Sequence, residues 1–232
     1  MEPINTRNPA AAARAYLALE WPLAPGHRHR PKQGCTCGRT DCPIPGAHPG
    51  PGAGSLDETS LTAALESAPG AGLIAHTQRF DAVLVPRQVG MAAMVLLDRG
   101  TPVPCLIVGP DTYVLLVLPA TGRYAAVDEA VEMGTGRDGW IALRPSRGVR
   151  WDNPPWIEGT TEPRKLINGD QIRHTLAGCF AVVRTGHCGD LPAPHAAGRG
   201  GRRCMAAHLR DMGEGLLEPY LASVEAAREE RR

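Results

Sequence analysis

Fifteen residues, Cys35 to Pro49 (CTCGRTDCPIPGAHP), gather three cysteines and a histidine between glycines and prolines. The stretch has too little apolar content to order itself by packing, so whatever this chain folds into must hold the loop by other means. Cys35 and Cys37 are separated by one residue, Cys42 follows after four more, and His48 after five. Zinc takes four such ligands at tetrahedral corners, and a metal would then replace the missing core. The glycines and prolines let the backbone turn about a point without bulky side chains in the way. A redox role fits less well: there is no Cys-x-x-Cys, and no strand is expected to feed directly into the loop. Four protein ligands close the coordination sphere, so the expectation is a structural Zn2+ on Cys35, Cys37, Cys42 and His48, within a metal-binding loop spanning 34–49.

The cysteine count supports this reading. Seven cysteines, odd in number and unevenly placed, make a poor disulfide framework. No apolar run approaches the roughly 20 residues of a membrane span, and the N-terminus lacks the basic-then-apolar order of a signal peptide. A cytoplasmic location, where thiols stay reduced, is therefore expected. A second set, His187, Cys188, His195, Cys204 and His208, mixes the same residue types. Cys204 and His208 could share a helix face, but the loose spacing favours unrelated surface histidines and buried thiols over a second metal site.

Formal charge is +1, from 25 basic and 24 acidic residues, so no global basic field advertises a polyanionic partner. Locally the picture differs. Arg28, Arg30 and Lys32, with His27 and His29, form a basic run just before the cysteine loop; Arg144, Arg147 and Arg150 form a second. Either could meet phosphates, and either could be a solvated loop. All basic residues but Lys32 and Lys165 are arginine, which together with abundant Ala, Gly and Pro suggests a GC-rich, actinobacterial coding bias.

Asn8-Pro9 predicts a helix start, with Ala12, Tyr16 and Leu19 on one face. Trp21-Pro22 ends that helix, a short extended stretch follows, and residues 26–54 read as loop. Ser55 and Glu58 fit a capping box for a second helix. Strands are expected at Leu73–His76 and Phe80–Val85, a third helix over 87–100, and a hairpin from Pro104 to Pro119 turning at Gly109-Pro110-Asp111. GWIALRP reads as the last strand before a Pro-rich boundary near 156. Beyond it, 170–184 reads as a helix, 185–201 as a flexible loop, and Leu217, Leu221 and Val224 as the apolar face of a helical tail. Interleaved helices and strands make the fold class α+β, with residues 1–156 as the main domain and 157–232 as a partly helical C-terminal extension.

The order AAARAYLALEWPLAPG, CTCGRTDCPIPGAHPG, a capped helix, GLIAHTQRFDAVLVP, a helix, a hairpin and GWIALRPSRGVRWDNPPW resembles the N-terminal bifunctional DNA primase/polymerase domain, the short actinobacterial members above all. The likeness spans roughly residues 9–156. It implies an archaeo-eukaryotic primase-like palm, a mixed sheet flanked by helices with a metal-bound insertion, and an ancestral Mg2+- or Mn2+-dependent nucleotidyl transfer. In the family, one apolar strand carries two aspartates a residue apart, so that both face one side and hold two cations. Here those positions fall at Leu84 and Pro86, and the family's downstream histidine has no counterpart between His76 and His174.

Three functions are compatible with these residues. The first is a catalytically degenerate domain binding nucleic acid or nucleotide through the basic run. The second is an active primase/polymerase using rearranged carboxylates such as Asp81, Asp111 and Asp128. The third is a regulatory or assembly protein that meets a partner, or a second copy of itself, through its C-terminal helix.

Overall fold

The computed structural model describes residues 4–50, 52–157 and 159–185. Met1–Phe180 form one compact unit; of the second, Ala181–Arg232, only the end of the last helix is described. The predicted tail helix, the loop at 186–201 and the set from His187 to His208 lie outside the described residues.

Asn8 caps α1 (Pro9–Leu17) as predicted, its side-chain oxygen accepting the Ala11 N–H at 3.0 Å. The helix buries Ala12, Ala13 and Tyr16. Next, β1 (Leu23–Arg30) and β2 (Gly34–Cys35) form an antiparallel hairpin with His29 opposite Cys35. The expected loop from 26 is therefore strand as far as Arg30, and a strand does lead into the metal loop. The polar sequence HRHR has no strand pattern of its own; its backbone is recruited by the partners on either side. α2 (Glu58–Ser67) is capped by Asp57 rather than by the Ser55/Glu58 box. The Asp57 carboxylate takes both the Ser60 N–H and the Ser60 hydroxyl at 2.9 Å, a stronger offer from a nearer residue.

The rest of the unit is β3 (Ala71–His76), β4 (Asp81–Pro86), α3 (Arg87–Leu97), β5 (Cys105–Val108), β6 (Thr112–Val117), a 3-10 turn at Gly122–Ala125, β7 (Glu132–Gly134), β8 (Trp140–Leu143), β9 (Val149–Asn153) and α4 (Asp170–Thr185). The protein is thus α+β, but its strands form two antiparallel sheets, β2-β1-β3-β8 and β7-β4-β6-β5-β9, in place of the single mixed sheet expected. His76 stays opposite Trp140 while Asp81 pairs with Val117, so Thr77–Phe80 carries the chain from one sheet to the other. Both β4 and β5 run antiparallel to β6 and hence parallel to each other, with α3 as their crossover. GWIALRP is not the last strand: β9 follows it, with Val149 and Trp151 inward and Arg150 and Asp152 outward.

One apolar cluster joins the sheets. Leu23, Leu73, Ile74 and Leu143 meet Ala82, Leu106, Val114 and Leu116, with α1 and α2 contributing Tyr16, Leu61 and Leu65. On the other face of the five-stranded sheet, Val83, Val85, Ile107 and Leu115 are buried, as are Val89, Ala93, Met94 and Leu97 of α3. Aromatics close the end of the core. Trp21 stacks on Tyr16 with centroids 5.7 Å apart and meets Phe80 at 4.6 Å, while Trp151 Nε1–H donates to the Tyr16 hydroxyl at 2.8 Å. Burial pushes the Tyr16 pKa well above the ordinary tyrosine value, against the lowering influence of Trp151 and Arg144. The unit continues beyond the Pro-rich stretch near 156. Leu118 N–H donates to Ile167, Gly169 N–H to Thr121 Oγ1, and Ile172, Leu176, Cys179 and Phe180 are buried. Among the described residues no helix is long and apolar enough to cross a membrane.

Candidate metal centre and the adjoining groove

β2 delivers Cys35 to the metal loop, and the loop returns to β1 through an isolated bridge between Gly26 and Pro49. Between these ties the chain has one apolar anchor, Ile44 and Ala47 against the core, with Ala47 N–H donating to Ile44. The circuit brings Cys35, Cys37, Cys42 and His48 together: one donor atom from each lies within 4.8 Å of all the others. Cys35 Sγ and Cys42 Sγ are 3.2 and 3.4 Å from His48 Nε2. The four residues predicted from spacing are the four that converge, and they can hold a metal ion. Among the described residues no other group of three or more His, Cys, Asp or Glu does so.

The surroundings of the sulfurs fit that role. Cys35 is buried, and the Gly46 N–H donates to its sulfur at 3.4 Å. Burial is the largest influence on its thiol and works to raise the pKa. The Cys37 and Gly46 amides and the His48 ring outweigh it and bring Cys35 down to about 6. Cys42 is pushed up to about 11, chiefly by burial and also by the neighbouring Cys37 and Cys35 sulfurs. The Cys35 and Cys42 thiols are thus shifted in opposite directions, and a cation between them would favour both thiolates.

His27 backs the centre. Its ring lies 4.5 Å from that of His48, its N–H donates to the His48 carbonyl at 2.9 Å, and its Nδ1 is 3.0 Å from Thr36 Oγ1. Burial and the His48 ring both lower its pKa, which favours a neutral imidazole. Thr36, between two of the cysteines, also ties down Arg28: its hydroxyl accepts the Arg28 N–H at 3.0 Å and its own N–H donates to the Arg28 carbonyl at 2.9 Å. Beside this junction opens a groove of about 650 Å³ lined by Arg28 and Arg30 among others. Spacing could not reveal it, because its walls come from β1, from the loop after the metal ligands and from the end of α2.

The first basic run is thus placed on β1 and its turn, with Arg28 half-buried and Arg30 and Lys32 exposed. Among the described residues the ion pairs are Arg39–Asp41 and Arg79–Glu20, so none of the three has a carboxylate partner. The second run does not form one patch. Arg144 lies near the Tyr16 hydroxyl in the core, Arg147 is exposed in the turn before β9, and Arg150 acts on Tyr113 from the α3 side of the sheet. Only Arg150 lies on a strand; Arg144 and Arg147 sit in the connection between β8 and β9, whose turn separates what the sequence sets close together.

Of the candidate carboxylates, Asp81 is 2 % exposed and accepts the Gly122 N–H at 2.8 Å, which anchors the 3-10 turn. Asp111 is exposed in the β5–β6 turn, and its carbonyl receives the Arg87 N–H at the start of α3. Asp128 accepts the Ala130 N–H at 3.0 Å. Leu84 packs partly into the core and Pro86 is exposed.

No family model, curated protein or solved structure matches the chain.

Proposed function

We propose that this chain is a primase/polymerase-like domain that binds nucleic acid, carries structural zinc and performs no nucleotidyl transfer. The observation that carries the binding role is the row Arg28, Arg30 and Lys32 on the β1–β2 hairpin, three cations without carboxylate partners among the described residues, of which Arg28 and Arg30 line the groove. Zinc is the favoured metal because three sulfurs and an imidazole suit it. A tetrahedral zinc site sets sulfur and nitrogen about 3.5 Å apart, close to the sulfur–nitrogen separations of 3.2 and 3.4 Å found here. Leucine and proline at positions 84 and 86 offer no side-chain oxygen to a catalytic cation, and Asp81 is engaged by Gly122. When bound, the metal supplies rigidity to the loop; the chain's own arginines and lysine meet the phosphates.

Fluorescence anisotropy with a labelled single-stranded oligonucleotide tests this reading. Three phosphate contacts give a slope of log affinity against log salt of about −2, and the triple variant Arg28→Ala/Arg30→Ala/Lys32→Ala flattens it. Absence of binding at low salt removes the reading. Primer extension with magnesium or manganese is expected to yield no product; extension that Asp81→Ala abolishes would overturn the non-catalytic part.

A further inference from the structure

The three sulfurs of the metal loop differ in what surrounds them, and the difference gives two of them a second chemistry. Cys35 is 6 % exposed, sits in β2 opposite His29 and has the Gly46 N–H on its sulfur. Cys37 and Cys42 are half-buried, so a small solute reaches them. Their donor atoms lie within 4.8 Å of each other, and a disulfide bond is about 2.0 Å long, so a small shift joins them. Gly38, next to Cys37, has φ of +80° and open space where a Cβ would stand, which leaves the connecting turn room to move. Among the described residues the other cysteines, Cys105 and Cys179, are 0 % and 2 % exposed and are shielded from such a solute.

The loop also reaches beyond itself. Thr36 lies between Cys35 and Cys37, and its hydroxyl and amide hold the Arg28 N–H and carbonyl at 3.0 and 2.9 Å. β1 is irregular between Pro25 and Arg28, so this stretch takes less support from β3 than a regular ladder gives. A shift of Cys37 therefore moves Thr36, and with it the backbone that carries Arg28.

We infer that Cys37 and Cys42 form a peroxide-sensitive switch: their oxidation to a disulfide empties the metal loop and releases Arg28 from Thr36. As metal ligands both sulfurs are thiolates, the form that attacks a peroxide. One sulfur attacks an oxygen of hydrogen peroxide, the O–O bond breaks, hydroxide leaves and the sulfur keeps the OH as a sulfenic acid. The second thiolate attacks that sulfur, the S–S bond forms and a second hydroxide leaves. Two electrons pass from the two sulfurs to the peroxide. Cys35 and His48 remain, half of the ligand set that a closed zinc site uses. Exchange with a thiol reductant reverses the bridge and restores the loop. The switch stands on the loop's own geometry; its effect on nucleic acid rests on the proposed function.

The test treats full-length, metal-loaded protein with hydrogen peroxide in slight molar excess and needs no variant. A colorimetric chelator should read the metal released in full, and alkylation before intact-mass measurement should find two thiols fewer per chain. Trypsin cuts after Arg39, between the two cysteines, so the bridge appears as a pair of linked peptides, and fragmentation tells Cys37 from Cys35. Limited trypsin digestion of the folded protein reads the strand. Cleavage after Arg28 should rise about tenfold on oxidation, while Arg30, before Pro31, stays uncut. Reductant with added metal should restore the protection. Metal retained under peroxide, sulfinic or sulfonic acids in place of a disulfide, or a bridge to Cys35, Cys188 or Cys204 overturns the switch. Metal release with cleavage after Arg28 unchanged overturns its link to β1. Oligonucleotide affinity should fall about tenfold on oxidation and recover on reduction; unchanged affinity overturns the regulatory role. A reduced protein that binds no oligonucleotide sinks the proposed function alone, because metal release, the bridge and the Arg28 cleavage are read without nucleic acid.

Discussion

Replacing Gly46 by alanine separates two physical costs that the metal loop avoids. Gly46 has φ of +78°, and a Cβ built there would lie 2.8 Å from the His29 backbone nitrogen and 3.1 Å from its Cβ. Gly38, in the same loop, has φ of +80° but open space around the added atom. Both alanines suffer the left-handed backbone, about 1–2 kcal/mol. Only Gly46→Ala adds overpacking, about 1–3 kcal/mol more, because His29 is pinned in β1 opposite Cys35 and cannot move without dragging a ligand with it. The same displacement disturbs the Gly46 N–H donated to the Cys35 sulfur. Urea unfolding of the metal-loaded variants should therefore show a loss of about 1–2 kcal/mol for Gly38→Ala and about 2–5 kcal/mol for Gly46→Ala. Metal transfer to a colorimetric chelator should accelerate for Gly46→Ala alone. Equal midpoint shifts and equal release rates would refute the view that the loop is wedged against β1 at this point.

Native mass spectrometry should find one metal ion per chain, lost in Cys42→Ser and His48→Ala. Its affinity should fall on acidification as protons compete for the Cys35 thiolate, whose pKa is brought down to about 6, which a competition titration across pH 5 to 8 would read. Tyr16→Phe leaves the half-buried Trp151 N–H without its acceptor and should cost about 1 kcal/mol in denaturant unfolding. Tyr16 also bears on alkaline stability. Its folded pKa is raised, so its contribution is complete below the unfolded value of about 10 and is lost as pH rises above it; Tyr16→Phe should shallow that fall. Asp81→Ala strips the Gly122 N–H of its acceptor and should destabilise by about 1–3 kcal/mol, whereas Asp81→Asn, which keeps a side-chain oxygen, should lose less. Equal losses in the two would remove Asp81 as the anchor of the 3-10 turn.

Elements with local signals were legible in the sequence. Asn8-Pro9 fixes the start of α1 because cap and proline act within one turn, and Gly109-Pro110-Asp111 marks the β5–β6 hairpin because its register follows from the turn. β1 was half-missed for the opposite reason: its outer half is polar on both faces and is a strand only because β2 and β3 supply hydrogen-bond partners. β9 was missed although VRWDN alternates, since the surrounding prolines and tryptophans look like a boundary; Trp151 is inward because it meets Tyr16, 135 residues earlier. The expected mixed sheet fails on pairing that no local pattern carries. The parallel relation of β4 and β5 exists, but β6 lies between them.

The metal centre and the groove show why one half of the site could be read directly and the other could not. The outermost ligands, Cys35 and His48, are 13 residues apart, so closing them together costs little loop entropy and the donors' chemistry alone identifies the set. The groove needs Arg28 opposite Ala71 in a β1–β3 ladder, and Ala53 brought back by the loop that follows His48. The basic run therefore had two readings in the sequence, phosphate site or solvated loop. What separates them is whether its strand is held rigidly along one wall of a concavity. Thr36 is the residue on which that turns, since one hydroxyl and one amide join the metal loop to Arg28. Thr36→Val, which keeps shape and removes the hydroxyl, should leave metal content unchanged and weaken oligonucleotide binding about five- to tenfold, near the value of one neutral hydrogen bond. If binding is untouched in Thr36→Val, the loop and the arginines are neighbours without mechanical connection, and the metal serves only its own loop.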